Sequence, residues 1–176
     1  HAISITQNLI NDEAFAVFLG DDIIDSKTPA MKQMAGVFEK YGTSILAVQK
    51  VRRKDAHLYG VIKGEKVSPG VWRVSDLVEK PRENPPSNLA IIGRYILTPG
   101  IFQALEKTAP GKGGEIQLTD ALKHLLETEE IYAYEFEGNR YDAGDKLGFL
   151  KANVSFALKR ADLKAEFKKF LKDLDL

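Results

Sequence analysis

Phe15-Ala16-Val17-Phe18-Leu19-Gly20, followed at once by Asp21-Asp22, is the stretch on which the fold reading turns. A short, unbroken apolar run closed by glycine and acids reads as a strand buried on both faces. Working outward, Thr28 stands as an N-cap with Pro29 at the first helical position. Met31, Met34, Val37, Phe38 and Tyr41 then fall on one stripe, and Gly42 supplies the stop. A second strand, Ser44-Ile45-Leu46-Ala47-Val48, follows. Strand, helix and strand in that order form a βαβ unit, which implies parallel strands and a right-handed crossover. The expected class is α/β, a mixed and mainly parallel Rossmann-like sheet flanked by helices.

The texture changes between Leu58 and Leu97. Leu58 to Ile62, Val71 to Val74, Leu77 to Glu79 and Leu89 to Leu97 read as strands, punctuated by Gly64, Ser68-Pro69-Gly70 and a Pro81 to Ser87 loop. This part is expected to be antiparallel or mixed. Thr98-Pro99 opens a short helix through Leu105, and a Gly-rich loop from Pro110 to Gly114 precedes a helix over Leu118 to Leu126. Ile131 to Phe136 is a strand running toward Arg140-Tyr141-Asp142-Ala143-Gly144-Asp145. The C-terminal part is helical: Leu147, Leu150, Val154 and Leu158 share one stripe, and Leu163, Phe167, Phe170, Leu171 and Leu174 another. No repeat or long linker interrupts residues 1–176, which read as one domain.

Composition removes several function classes. Lysine plus arginine equals aspartate plus glutamate, 25 against 25, which argues against nucleic-acid binding by bulk charge. Cysteine is absent, so disulfide scaffolds, thiolate metal sites and cysteine nucleophiles are excluded. His1, His57 and His124 are too scattered for a histidine-rich zinc site. No apolar run approaches the roughly 20 residues of a membrane span, and no basic-then-apolar leader opens the chain. A cytoplasmic location without a membrane partner is the expectation.

Open α/β sheets bind ligands at strand ends, and two of the expected strand ends carry carboxylates beside glycine. Asp21, after Gly20, and Asp142, before Ala143-Gly144, would together make a hard oxygen pocket suited to Mg²⁺. Taken singly, either cluster reads equally well as a chain turn. Glu79-Lys80-Pro81 is the third candidate. Neighbours on a strand point to opposite sides unless a bend turns both into one cleft. If both reach it, Glu79 accepts hydrogen bonds from sugar hydroxyls and Lys80 holds a phosphate; otherwise this is an exposed strand end closed by proline. Gly111-Lys112-Gly113-Gly114 lacks the phosphate-loop spacing and reads as a plain loop. Trp72 and Tyr59 read as core or strand aromatics.

Longer motifs add a resemblance. Gly20-Asp21-Asp22, Leu77-Val78-Glu79-Lys80-Pro81, Pro86 to Tyr95, Gly113 to Ala121 and Tyr141 to Lys146 occur in the order seen in the bacterial UTP–glucose-1-phosphate uridylyltransferases, of the sugar-1-phosphate nucleotidylyltransferase family. The chain resembles that family along nearly all its length. The resemblance implies a nucleotidyltransferase fold and Mg²⁺ on Asp21 and Asp142. It puts glucose hydroxyls on Glu79 and the Gly60 backbone, and the sugar phosphate on Lys80. Lys146 would assist the phosphates, while Gly93 and Glu115 match positions near the sugar pocket. The implied reaction joins UTP and glucose 1-phosphate into UDP-glucose and releases pyrophosphate. Asp22, where relatives outside the uridylyl group often carry asparagine, leans toward uridylyl over thymidylyl or guanylyl transfer.

One departure stands out. The family's opening Gly-rich loop, G-x-G-T-R-x-x-P, is missing, and His1-Ala2 resembles the end of a later Gly-Leu-Gly-His-Ala stretch. The chain therefore reads as the C-terminal portion of a longer nucleotidylyltransferase domain. A non-catalytic sugar-nucleotide-binding module is the alternative of another class. A homo-oligomer is implied by the resemblance alone.

Overall fold

Ile45, Leu46, Ala47 and Val48 are all fully buried, the signature of a strand with no solvent face. The computed structural model describes residues 1–111 and 114–174. Lys112 and Gly113 of the expected Gly-rich loop lie outside the described residues. Strand β3 (Ile45–Lys50) sends Leu46 and Val48 into one core and Ile45 and Ala47 into another. Strand β6 (Leu89–Leu97) alternates in the same way, with Leu89, Ile91, Tyr95 and Leu97 on one side and Ala90, Ile92 and Ile96 on the other. Helix α1 (Ala30–Tyr41) packs Met34 and Val37 onto the second core. Helices α2 (Gly100–Lys107) and α3 (Leu118–Leu125) pack Phe102, Leu105 and Leu122 onto the first. Helices thus cover both faces of one sheet.

The sheet order is β1 (Phe15–Phe18), β6, β3, β7 (Tyr132–Glu135), β5 (Val71–Glu79), β4 (Gly60–Ser68). The α/β class and the mixed sheet stand, but the mainly parallel balance needs correction. Among the described residues β3–β7 is the one parallel pair of neighbours. The reason is insertion. Strands β1 and β3 run the same way across α1, as a βαβ unit requires, but β6 returns between them and pairs antiparallel with both. Val71 to Glu79 forms one strand where two were expected, and β4 extends through the polar stretch Lys63 to Lys66 because hairpin pairing with β5 carries it.

Two short strands escape the apolar pattern. Strands β2 (Asp22–Asp25) and β8 (Asn139–Asp142) form a separate two-stranded ribbon, with Asp22 directly opposite Asp142. Helix α4 (Lys146–Ala157) follows β8, and α5 (Lys164–Lys172) comes after it. The stripe expected to bury α4 does not. Leu147 and Leu150 are more than half exposed, and Ala152 is its buried residue. No helix among the described residues is long and apolar enough to cross a membrane.

Helix α4 is pinned where it meets the ribbon. The Asp145 side chain caps it by accepting the Gly148 N–H at 2.8 Å. A side chain at Gly148 would run into the backbone carbonyl of Asp142, which cannot swing aside. Gly148→Ala is therefore expected to lower stability by about 1–3 kcal/mol, the usual cost of forced overpacking. Urea denaturation measures it, and an unchanged midpoint would contradict this packing.

Candidate active site

One edge of β6 serves two strands. It pairs with β1 over Arg94 to Leu97 and touches β4 through Val61 at Ala90. Between those pairings the edge opens, and ligands of α/β sheets lodge where neighbouring strands part in this way. A cleft of about 740 Å³ lies there, lined by β1 and the Asp21 turn, by Gly60, Glu79 and Lys80, and by Ile91, Gly93 and Tyr95 of β6. A buried backbone N–H at such an opening needs an acceptor. The Gly93 N–H finds it in Asp22 Oδ2, at 2.8 Å. A Cβ at Gly93 would fall 2.6 Å from that oxygen and from Leu19 Cβ, so glycine is required for the approach.

The acidic end of the cleft is built by the ribbon. An ideal Cβ on Gly144 would lie 2.9 Å from Asp21 Oδ2 and 3.3 Å from Asp142 Oδ1, so both carboxylates converge on one point. The Ala143 N–H donates to the Asp21 carbonyl at 2.7 Å and the Gly144 N–H to Asp142 Oδ1 at 3.1 Å, which ties the two turns together. Asp22, 6% exposed, lines the same cleft but is engaged within the protein, its Oδ1 accepting from Arg140 Nε. Arg140 also donates from Nη2 to Asp142 Oδ2 at 2.9 Å and from Nη1 to the Tyr59 hydroxyl at 3.2 Å. Burial alone would lower its pKa, but the bonds to Asp22 and Tyr59 outweigh burial and hold it above the ordinary value.

No cluster of three or more His, Asp or Glu ligands occurs among the described residues. Two hard carboxylates with room beside them fit Mg²⁺, which commonly takes one or two protein carboxylates and completes its shell with phosphate and water oxygens.

The other end is built by a backbone irregularity. Lys80 has φ 42, a left-handed conformation that costs a non-glycine residue about 1–2 kcal/mol. Its N–H donates to the Tyr59 carbonyl at 3.0 Å. This turn is the bend the sequence required: Glu79 and Lys80 line the same cleft, with Lys80 Nζ 3.7 Å from Glu79 Oε1. Thr119, buried at the start of α3, donates its hydroxyl to Glu79 Oε2 at 2.6 Å and fixes the carboxylate. Gly60 sits against both, since a Cβ there would be 2.7 Å from Thr119 Oγ1. Burial, with Asp22 and Glu79 nearby, pushes the Tyr95 phenol up, so its hydroxyl stays protonated in the cleft wall.

Not every expected residue reaches this cleft. Asp21, Asp142, Gly60, Glu79, Lys80 and Gly93 line it. Glu115 lines an adjoining polar cleft of about 910 Å³ that shares Glu79 and Lys80. Lys146, exposed at the start of α4, is not part of the cleft lining. Trp72 is a core residue, as read, but Tyr59 is not a plain strand aromatic: its ring lies 5.2 Å from the Arg140 guanidinium in the site wall. Sequence reading missed Arg140, Thr119 and the partner role of Asp22. The available signal was polar residues i and i+2 on one strand, at Arg140 and Asp142.

The model of the nucleotidyl transferase family matches residues 1–158. The chain belongs to that family. It is 49% identical to the UTP--glucose-1-phosphate uridylyltransferase of Staphylococcus epidermidis over 177 residues, covering 100% of this chain and 62% of the relative. Among solved structures, a UDP-glucose pyrophosphorylase complexed with UDP-glucose shares 47% identity at a TM-score of 0.87, covering 91% of this chain and 62% of that one. A UTP-bound UGPase from Acinetobacter baumannii shares 30% identity at a TM-score of 0.89, covering 99% and 61%. The chain thus spans 62% of the length of the first of these family members.

The left-handed Lys80 yields a test on stability alone. Lys80→Gly is expected to be about 1 kcal/mol more stable than Lys80→Ala, because glycine adopts this conformation without the Cβ penalty. Chemical denaturation of the two variants decides it. Equal stabilities would show that the backbone at residue 80 relaxes freely.

Proposed function

We propose that this chain forms the sugar- and metal-binding part of a UTP–glucose-1-phosphate uridylyltransferase, as the C-terminal portion of one nucleotidylyltransferase domain. The reaction transfers the uridylyl group of UTP to glucose 1-phosphate, giving UDP-glucose and pyrophosphate. The observation that carries this reading is a single cleft holding the Asp21–Asp142 pair and the Glu79–Thr119–Lys80 group together. The names of the relatives support it.

In this reading Asp21 and Asp142 would hold Mg²⁺, which when bound neutralises phosphate charge. Glu79, oriented by Thr119, accepts hydrogen bonds from glucose hydroxyls beside the Gly60 backbone. Lys80 presents its ammonium to the sugar phosphate. A phosphate oxygen of the sugar then meets the nucleotide α-phosphorus in line, with positioning and charge neutralisation supplying the rate. No covalent enzyme intermediate is needed. Glu115 and Lys146 carry no step in this reading. A cytoplasmic homo-oligomer completes the proposal, supported by the exposed apolar side chains of α4 and α5, such as Phe149 and Phe170.

The sugar site is tested by calorimetric titration with glucose 1-phosphate and galactose 1-phosphate. Glu79→Gln removes a charged acceptor, and a hydrogen bond to a charged group is worth about 1.5–3 kcal/mol, or about 10- to 100-fold in affinity. The loss is expected to fall chiefly on glucose 1-phosphate. Lys80→Ala is expected to weaken both ligands alike, because it removes a phosphate contact. Equal losses for both ligands in both variants would contradict the division of roles.

A further inference from the structure

Two like charges directly opposite each other on an antiparallel pair destabilise it, yet Asp22 and Asp142 occupy such opposed positions on the β2–β8 ribbon. The ribbon has only four pairs of residues to hold that register. Arg140 stands two residues before Asp142, on the same face of β8. Its Nε donates to Asp22 and its Nη2 to Asp142 Oδ2 at 2.9 Å, so one guanidinium bridges both strands. The side chain is 11% exposed and its third donor is fixed by Tyr59. A planar fork makes these bonds simultaneously, whereas a lysine ammonium is a point charge on a flexible stem. Register matters to the site because Asp21 precedes Asp22 by one residue. A slip of the ribbon would carry Asp21 away from Asp142.

We propose that Arg140 is a positioning residue whose fork holds the β2–β8 ribbon in the register that sets Asp142 beside Asp21 for a divalent cation. The inference rests on the reading that those two carboxylates share the cation. Its sign separates it from simple charge shielding. Deleting a cation beside two carboxylates tightens metal binding if charge is all that matters, and weakens it if geometry is what Arg140 supplies.

The experiment titrates the 176-residue chain with Mn²⁺ alone, followed by electron paramagnetic resonance, in wild type, Arg140→Met and Arg140→Lys. Arg140→Met is expected to bind Mn²⁺ about 10- to 100-fold more weakly, the usual range for losing a group that orients a metal ligand. Arg140→Lys, which restores charge without the fork, is expected to stay in that weakened range. It carries the test if the methionine variant does not fold. Unchanged or tighter binding in either variant overturns the proposal. A wild-type chain that fails to bind Mn²⁺ removes the shared-cation reading instead. Amide exchange at Ala143, whose N–H bonds Asp21, then decides the positioning role. Protection lost on removing Arg140 supports that role, and protection kept overturns it.

Discussion

The buried carboxylate of Asp22 joins the small ribbon of this molecule to its large sheet. Asp22 belongs to the small β2–β8 ribbon, yet its Oδ2 accepts the Gly93 N–H of β6 in the large sheet, and its Oδ1 accepts Arg140 from the opposite strand of the ribbon. Every oxygen of a carboxylate this deeply buried needs a partner. Removing one partner of such a pair typically costs about 3–5 kcal/mol, because the other charge is left stranded. The arrangement is costly to disturb. It locks the turn carrying Asp21 to the strand edge at which the cleft opens.

From that lock the rest of the site follows. The edge of β6 is held open between β1 and β4, and the cleft lies at that opening. One end presents carboxylates, suited to a hard cation and the phosphates it would neutralise. The other presents an oriented carboxylate next to an ammonium, suited to a phosphorylated sugar. The left-handed backbone at Lys80 is the strain that makes the second end possible, and strain of this kind gathers where a chain is shaped for binding rather than for stability. Close approach of Gly60 and Gly93 to polar groups completes the fit.

How much of this was legible in the sequence differs by element. Strand β3 announced itself, because burial on both faces leaves an apolar run, and β6 did so despite Gly93-Arg94. The same pattern misled at β1, an edge strand with one open face: Ala16 and Phe18 are exposed, so the expected burial on both faces does not hold. Helix α1 was legible from its stripe and from Gly42, whose φ of 66 matches the expected stop, although Pro29 sits one position earlier than read. The insertion of β6 between β1 and β3 was not legible, since local pattern does not record which strands become neighbours. The ribbon was invisible for another reason. Asp22 to Asp25 and Asn139 to Asp142 are half polar, and ion pairing through Arg140 holds them where burial alone would not. In the site, Asp21, Asp142, Glu79 and Lys80 were legible as chemistry. The residues that aim them were not read: the i, i+2 spacing of Arg140 and Asp142 was the one signal, and Thr119 and Asp22 act across elements far apart in sequence, which local spacing does not record. The exposed faces of Leu147 and Leu150 reversed the expected burial of α4: periodicity shows that a face is apolar, not what covers it.

The proposed chemistry depends on Asp21 and Asp142 sharing one cation beside Glu79 and Lys80. Anomalous diffraction from crystals of the chain grown with Mn²⁺ and glucose 1-phosphate tests this most directly. The expected result is one metal peak within about 2.0–2.2 Å of a carboxylate oxygen from each residue, with the sugar phosphate on its far side and the sugar against Glu79. A peak bound to only one of the two aspartates, or a sugar phosphate seated away from Glu79 and Lys80, would contradict the account.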